Sequence, residues 1–256
     1  MNQSTEAGLR YLVLSDIHAN LEALENCLEL SAGRYEQAVC LGDVVGYGPD
    51  PNAVIEQVSH TAGTTIRGNH DRVCAGLGSA EDFNPVAQLA VVWTRRELTP
   101  AHTRLLRELP AGPLAMPGFE MVHGSAEDED QYVLSAAEAI PSLRSQAVQL
   151  VFFGHTHIQG VFSLNRAGSF KAITAPRGPD GLVLSLPLED GTRYLVNPGS
   201  VGQPRDHDWR AAFAILDGEE RRVEFYRTPY ELTATQAKMT RARLPEMLIR
   251  RLETGR

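Results

Sequence analysis

Cysteine is scarce in this chain: Cys27, Cys40 and Cys74 are the only three in 256 residues. Their number is odd, their spacing is irregular and no C-x-x-C pair occurs, so a disulfide framework is not expected and reduced thiols are. Long apolar runs are missing as well: none reaches the roughly 18 residues that a membrane-crossing helix needs. The first eight residues lack the basic-then-apolar pattern of a secretion signal, and the expected location is the cytoplasm. Positive charge is in deficit, with 24 Lys and Arg against 32 Asp and Glu, a formal net charge of −8. Nucleic-acid coats need clustered cations, so stable nucleic-acid binding is not expected. An acidic chain still takes an anionic substrate where bound cations supply the local positive charge. There is no linker, low-complexity tract or internal repeat, which makes one domain over residues 1–256 the expected organisation. The oligomeric state is left open.

What is present suffices for a large core: 43% of the residues are hydrophobic and 22% charged, an ordinary balance for a globular protein. Residues 10–15, 37–41, 64–67, 119–122 and 149–153 read as strands. Leu21, Leu24, Leu28 and Leu30 recur at helical spacing within 20–30. Helices over 51–58, 85–98 and 100–109 each open with a proline, which suits a first turn, and 135–145 is also helical. The texture then changes to short strands at 161–164, 181–186, 193–196, 211–216 and 221–226, separated by Gly, Pro and Asp turns. Residues 233–251 return to helical spacing, predicting one C-terminal helix at about 233–252 that packs on the domain. Strand–helix units followed by a strand meander point to an α/β fold of two packed sheets with helices on both outer faces.

Five short motifs each follow a strand-like run: Asp16-Ile17-His18, Gly42-Asp43, Gly68-Asn69-His70-Asp71, His123-Gly124 and Gly154-His155-Thr156-His157. Ligands of mixed α/β sheets gather beyond the carboxyl ends of the strands, so these side chains are expected to meet at one edge. Asp16 and His18 alternate, as do His155 and His157, and in an extended turn each pair points one way. Glycine before a ligand, as at Gly42, Gly68 and Gly154, allows a sharp turn and close backbone approach. We assign Asp16, His18 and His157 to one metal ion and Asn69, His123 and His155 to a second, with Asp43 bridging both. Carboxylate, amide and imidazole donors suit Mn, Fe, Ni or Zn, with Mn favoured. Two such ions, about 3.5–4 Å apart, clamp phosphoryl oxygens and hold a hydroxide for in-line attack. His70 is left to protonate the leaving oxygen or to stabilise the charge developing there. Asp71 is left to orient His70 or a neighbouring imidazole.

Taken together, the motifs resemble the D-x-H, G-D, G-N-H-[DE], lone H and G-H-x-H pattern of the calcineurin-like metallophosphoesterase superfamily, across residues 10–157. The stretch Asn197-Pro198-Gly199-Ser200-Val201-Gly202-Gln203-Pro204-Arg205 is similar to its small bacterial and archaeal phosphodiesterase branch. The resemblance implies a di-metal hydrolase on a four-layer α-β-β-α sandwich of two mixed sheets flanked by helices. One departure matters. Protein Ser/Thr phosphatases carry G-D-x-x-D-R-G, whereas this chain reads Gly42-Asp43-Val44-Val45-Gly46-Tyr47-Gly48. Gly46 stands where an Asp supports the catalytic His, and Tyr47 where an Arg binds phosphate. Phosphoprotein phosphatase activity is therefore not expected, and the support of His70 is open.

Arg205 is placed to grip phosphate oxygens through its planar fork, the alternative being a salt bridge to Asp206 or Asp208. His207 in the same loop is a second substrate-binding candidate. His60 and His102 read as structural histidines, Asn197 as a turn residue that bonds backbone, and the acidic run 127–130 as a solvated loop. The expected activity is metal-dependent hydrolysis of small or nucleotide-like phosphodiesters. A phosphomonoesterase or nucleoside-polyphosphate hydrolase would use the same core, and a silent protein-binding scaffold of the same fold is the alternative from another class.

Overall fold

The computed structural model describes residues 8–256. Its strands are β1 (Arg10–Leu14), β2 (Gln37–Cys40), β3 (Thr64–Thr65), β4 (Leu114–Met116), β5 (Phe119–Met121), β6 (Leu150–Phe152), β7 (Gly160–Asn165), β8 (Phe170–Thr174), β9 (Gly181–Pro187), β10 (Thr192–Asn197), β11 (Ala211–Asp217) and β12 (Arg222–Thr228). Its helices are α1 (Leu21–Ser31), α2 (Pro51–Thr61), α3 (Asn69–Cys74), α4 (Pro85–Glu97), α5 (Pro100–Glu108), α6 (Ala136–Ser145), α7 (Leu232–Arg241) and α8 (Glu246–Thr254). Two six-stranded mixed sheets result, ordered β3-β2-β1-β11-β12-β9 and β4-β5-β6-β10-β7-β8.

Strand alternation explains the layering. One face of β1, β2 and β12 presents Tyr11, Val13, Val39, Val223 and Phe225, and these meet Phe119, Phe152, Tyr194 and Val196 of the second sheet. Tyr11 and Phe152 both stack edge-on against Phe119, with ring centroids 5.0 and 5.4 Å away. The opposite face, with Leu12, Leu14, Cys40, Phe213 and Ile215, is covered by α1, α2 and their neighbours. The outer face of the second sheet packs Val151 and Leu195 on Ala139 and Leu143 of α6. This is the four-layer arrangement the sequence led us to expect. Asn20, Asn84, Thr99 and Ser135 cap α1, α4, α5 and α6 through their side-chain oxygens. The three cysteines are free and buried. Among the described residues no helix is long and apolar enough to cross a membrane.

Two expectations are corrected, and three elements come in addition. The single C-terminal helix is two, α7 and α8, because Arg243 turns into the left-handed region (φ 55°) and Pro245 cannot carry the helical hydrogen bond. The strand at 64–67 pairs only at Thr64–Thr65, since the chain leaves the sheet to enter α3. That short helix, carrying Asn69, His70 and Asp71 in its first turn, was not anticipated. Nor were β4 and β8: each lies at an edge of its sheet and is partly exposed, and β4 has only three residues.

Phe152 is fully buried between the sheets. Phe152→Ala is expected to cost about 3–5 kcal/mol, read as a lower urea midpoint at unchanged m-value.

Candidate metal centre

The ends of β1, β2, β5 and β6 and the start of α3 deliver the motifs to one edge. Asp16, His18, Asp43, Asn69, His70, His123, His155 and His157 are all buried there. The turns are not extended, contrary to expectation. Asp16, His18, Asp43, His155 and His157 have φ of 52, 50, 52, 64 and 60°, in the left-handed region. Each such residue costs about 1–2 kcal/mol, so the surroundings must hold it. Backbone bonds do so: Asp16 N donates to Gly42 O at 3.0 Å and His18 N to Asp43 O at 2.9 Å. The segment 198–205 closes the other side. Gly202 N donates to Asp16 O at 3.0 Å, Ser200 Oγ to the same oxygen at 2.7 Å, and Arg205 N to His157 O at 3.1 Å. Asn197, read as a turn residue, donates from Nδ2 to Gly154 O at 2.9 Å.

Three imidazoles are oriented alike. Nδ1 of His18, His123 and His157 faces Val45 O at 3.1 Å, Leu41 O at 2.8 Å and Gln203 O at 2.6 Å. A carbonyl only accepts, so Nδ1 carries the proton and Nε2 points a lone pair inward. His155 is turned the other way: its Nε2 donates to Asp130 O at 3.1 Å, which leaves Nδ1 for the centre. The inward groups crowd. His18 Nε2 is 3.1 Å from His157 Nε2, and His157 Nε2 is 3.3 Å from Asp16 Oδ1. Asp43 Oδ2 stands 3.5 Å from both His18 Nε2 and His123 Nε2, and His123 Nε2 is 3.3 Å from Asn69 Oδ1. Asp16, His18, Asp43 and His157 present ligand atoms within 4.8 Å of one another, and so do Asp43, His123 and His155. Either group could hold a metal ion, and Asp43 belongs to both.

The decisive atom is Asp43 Oδ2. The other carboxylate oxygen, Oδ1, accepts from His70 N at 2.8 Å, while Oδ2 is buried with no hydrogen-bond partner. A buried carboxylate oxygen flanked by imidazole lone pairs is a place that a cation completes. Burial raises Asp16 to about 6. Burial also pushes Asp43 upward, yet His123 and His70 beside it hold it well below the usual carboxylate range. Burial likewise opposes charge on His123, but the adjacent Asp43 lifts that imidazole to about 10. His18 and His157 are lowered, mainly by burial, as is His155, to about 3. The donor set of carboxylate, amide and imidazole groups suits divalent ions.

His70 lies in a different environment. Its ring is 4.4 Å from that of Tyr47 and 4.7 Å from that of Phe83, and its buried Nδ1 has no partner. Burial lowers it to about 4. Gly46 answers the open question of support. A Cβ there would lie 2.6 Å from His70 Nδ1, and its φ of +92° suits glycine, so the position holds no carboxylate and has no room for one. The expected role of Asp71 is corrected too. Its oxygens accept from Val45 N and Gly68 N, both at 3.0 Å, so it ties the 43–45 turn to α3 instead of steering an imidazole.

Arg205 is half-buried at the centre, its guanidinium 5.8 Å from the Tyr47 ring and donating to Gln203 Oε1 at 3.1 Å. The alternative salt bridges do not form: Asp206 pairs with Arg227 and Asp208 with Arg210. His207 is drawn elsewhere. It is exposed, its Nδ1 accepts from Arg256 Nε at 3.1 Å, and its backbone bonds Gly255 O, so its described partners lie at the C-terminal end. The acidic run is not simply solvated. Glu129 pairs with Arg67 and Arg72, and Asp130 with Arg72 at 2.6 Å, folding the run over α3. His102 bonds Asn52 and His60 bonds Glu56 O, both structural. A cleft of about 430 Å³ opens beside the centre, bordered by Tyr47, His70, Phe83, Asn84, Tyr132 and His155. Sequence reasoning missed Phe83, Tyr132 and Arg251, which no motif marks.

Saturating Mn²⁺ is expected to stabilise the desalted protein by about 2.7 kcal/mol at a hundredfold excess over Kd, read as a higher thermal midpoint reversed by EDTA. In Asp43→Asn that gain should largely vanish, because Asp43 faces both ligand groups.

Comparison with known proteins agrees with this geometry. The profile of the calcineurin-like phosphoesterase superfamily domain matches residues 9–221. An uncharacterised protein of Methanocaldococcus jannaschii is 31% identical over 252 residues, covering 95% of this chain and 97% of that one. The crystal structure of a metallophosphoesterase from Sphaerobacter thermophilus is 38% identical and superposes with a TM-score of 0.82, covering 97% of this chain and all of that one. A hypothetical protein from Pyrococcus horikoshii shares the fold at 21% identity and a TM-score of 0.75, over 96% of this chain and 98% of its own. The chain belongs to the calcineurin-like phosphoesterase superfamily and is a metal-dependent phosphoesterase.

Proposed function

We propose that the chain hydrolyses small phosphodiesters, nucleotide-like ones among them, using two divalent ions of which Mn²⁺ is favoured over Fe, Ni and Zn. Asp16, His18 and His157 would hold one ion and Asn69, His123 and His155 the other, with Asp43 shared. The observation that carries the reading is the partnerless, buried Asp43 Oδ2 between two inward-facing imidazoles. When bound, the ions supply Lewis acidity and a water whose pKa falls to near neutrality.

The protein's own groups do the rest. The Nδ1–H bonds to Val45, Leu41 and Gln203 keep the rings from turning, so ligand geometry is set before metal arrives. Arg205, lying against Tyr47, brings a guanidinium to the substrate phosphate from a segment remote from the Gly42–Gly48 turn. This supports a specificity different from that of phosphoprotein phosphatases, whose Arg sits in that turn. His70 has no carboxylate behind it to hold an imidazolium, and aromatic rings surround it. Its part is that of a neutral N–H donor to the charge developing on the leaving oxygen. The cleft beyond takes the leaving group, and the faces of Phe83 and Tyr132 suit a flat ring.

Turnover of chromogenic mono- and diesters with each metal tests the reading. Bis-p-nitrophenyl phosphate is expected to outpace p-nitrophenyl phosphate in kcat/KM; the reverse order would make the chain a monoesterase, and metal binding without turnover would make it a scaffold. His70→Ala should keep its metal content and lose at least about tenfold in kcat, most for poor leaving groups. Unchanged turnover of an alkyl ester by that variant would remove the role.

A further inference from the structure

The C-terminal helix does more than pack. Leu252 of α8 is buried against Tyr47, and it lines a narrow gap together with His18, Tyr47 and Gln203 at the edge of the centre. Arg251, one residue earlier, is thereby carried to the mouth of the site. Its Nη1 donates to Gln203 Oε1 at 3.3 Å, and Arg205 Nη2 donates to the same oxygen at 3.1 Å. Two guanidinium groups thus converge on one neutral amide.

Like charges so close repel. Elsewhere this chain neutralises its enclosed arginines: Arg227 pairs with Asp206, Arg210 with Asp208, and Arg72 with Glu129 and Asp130. Among the described residues, Arg205 and Arg251 make no ion pair. The charged or titratable groups that face Arg251 are Arg205, Tyr47 and Tyr132, none of them a carboxylate. Arg205 Nε and Gln203 Nε2 are also buried without partners. In a chain of net charge −8, this local excess of positive charge and unused donors stands out against the rest of the surface. Paired guanidinium forks match phosphate oxygens, which take several N–H donors at once.

We infer that Arg251 and Arg205 form a clasp for a second phosphate of the substrate, beyond the one that is cleaved. The inference rests on the phosphoesterase reading and narrows it: the preferred substrates are phosphodiesters or phosphoanhydrides that carry a further phosphate. Arg205, nearer the ligand histidines, serves both phosphates, and Arg251 serves the second alone.

Calorimetric titration of Mn²⁺-loaded, desalted protein with methylenediphosphonate, a pyrophosphate analogue whose P–C–P bridge cannot be hydrolysed, and with orthophosphate tests the clasp without turnover. The wild-type chain is expected to bind the diphosphonate at least about tenfold more tightly than orthophosphate, the worth of one charge-assisted hydrogen bond. Arg251→Gln should abolish most of that preference while leaving orthophosphate affinity within about twofold. Arg251→Lys, which keeps the charge and the stem that packs on α8's surroundings but not the fork, should retain an intermediate preference. Equal affinities in the wild-type chain, or an undiminished preference in Arg251→Gln, would overturn the clasp. A parallel assay separates the two readings: a 5′-phosphorylated dinucleotide should have a lower KM than its unphosphorylated counterpart, an advantage lost in Arg251→Gln. If neither is hydrolysed, the diesterase reading fails, and the calorimetry still decides the clasp.

Discussion

A buried carboxylate oxygen without a donor costs about 1–3 kcal/mol, and more when the group is charged. The fold nevertheless places Asp43 Oδ2 in that position and aims two imidazole nitrogens toward it from 3.5 Å. Beside it, His157 brings one further nitrogen to within 3.1 Å of that of His18. No rotation relieves this, since each ring is pinned from behind by a backbone carbonyl. Apposed acceptors of this kind are stable only with positive charge among them. Bound divalent metal would supply that charge and would draw phosphate to an otherwise acidic molecule.

That constraint accounts for the unusual backbone. Five of the proposed ligands have left-handed φ values, which tighten each turn so that its side chain reaches inward. Such conformations persist only where neighbours over-determine them. Here the neighbours are the adjoining turns: the 16–18 turn is bonded to 42–43 on one side and to 200–202 on the other. The close approach explains why a Cβ on Gly68 would come within 2.2 Å of Asp43 Oδ1. Asp71 adds to the same lattice, since both its oxygens go to backbone amides of neighbouring turns.

The outer wall of the centre is aromatic and cationic. Tyr47 and Phe83 enclose His70, Tyr132 covers His155 with ring centroids 4.0 Å apart, and α8 brings Arg251 beside Arg205. On the proposed reading the metal ligands define the class of chemistry, and this wall would select among its substrates. Because the wall draws on α4's approach, the acidic loop and the C-terminal helices, it can change while the ligand turns stay as they are.

The α/β class, the order of β1 to α6 apart from α3 and β4, and the inward set of Asp, Asn and His residues were legible in the sequence. Apolar runs and the ligand motifs after them are local signals, and local spacing dictates local structure. The 3.5 Å approaches, the left-handed turns and the choice between Nδ1 and Nε2 were not legible. Each depends on a partner far along the chain, such as Leu41 for His123 or Gln203 for His157. Asp206 and Asp208, adjacent to Arg205 and its neighbour in sequence, pair instead with Arg227 and Arg210, while His207 follows the C-terminus. The sequence by itself determined which donors are available and that they suit metal ions. Only the tertiary structure decided which atoms of those donors face one another and which arginines remain without a carboxylate, because pairing is settled by distance in space and not by position in the chain.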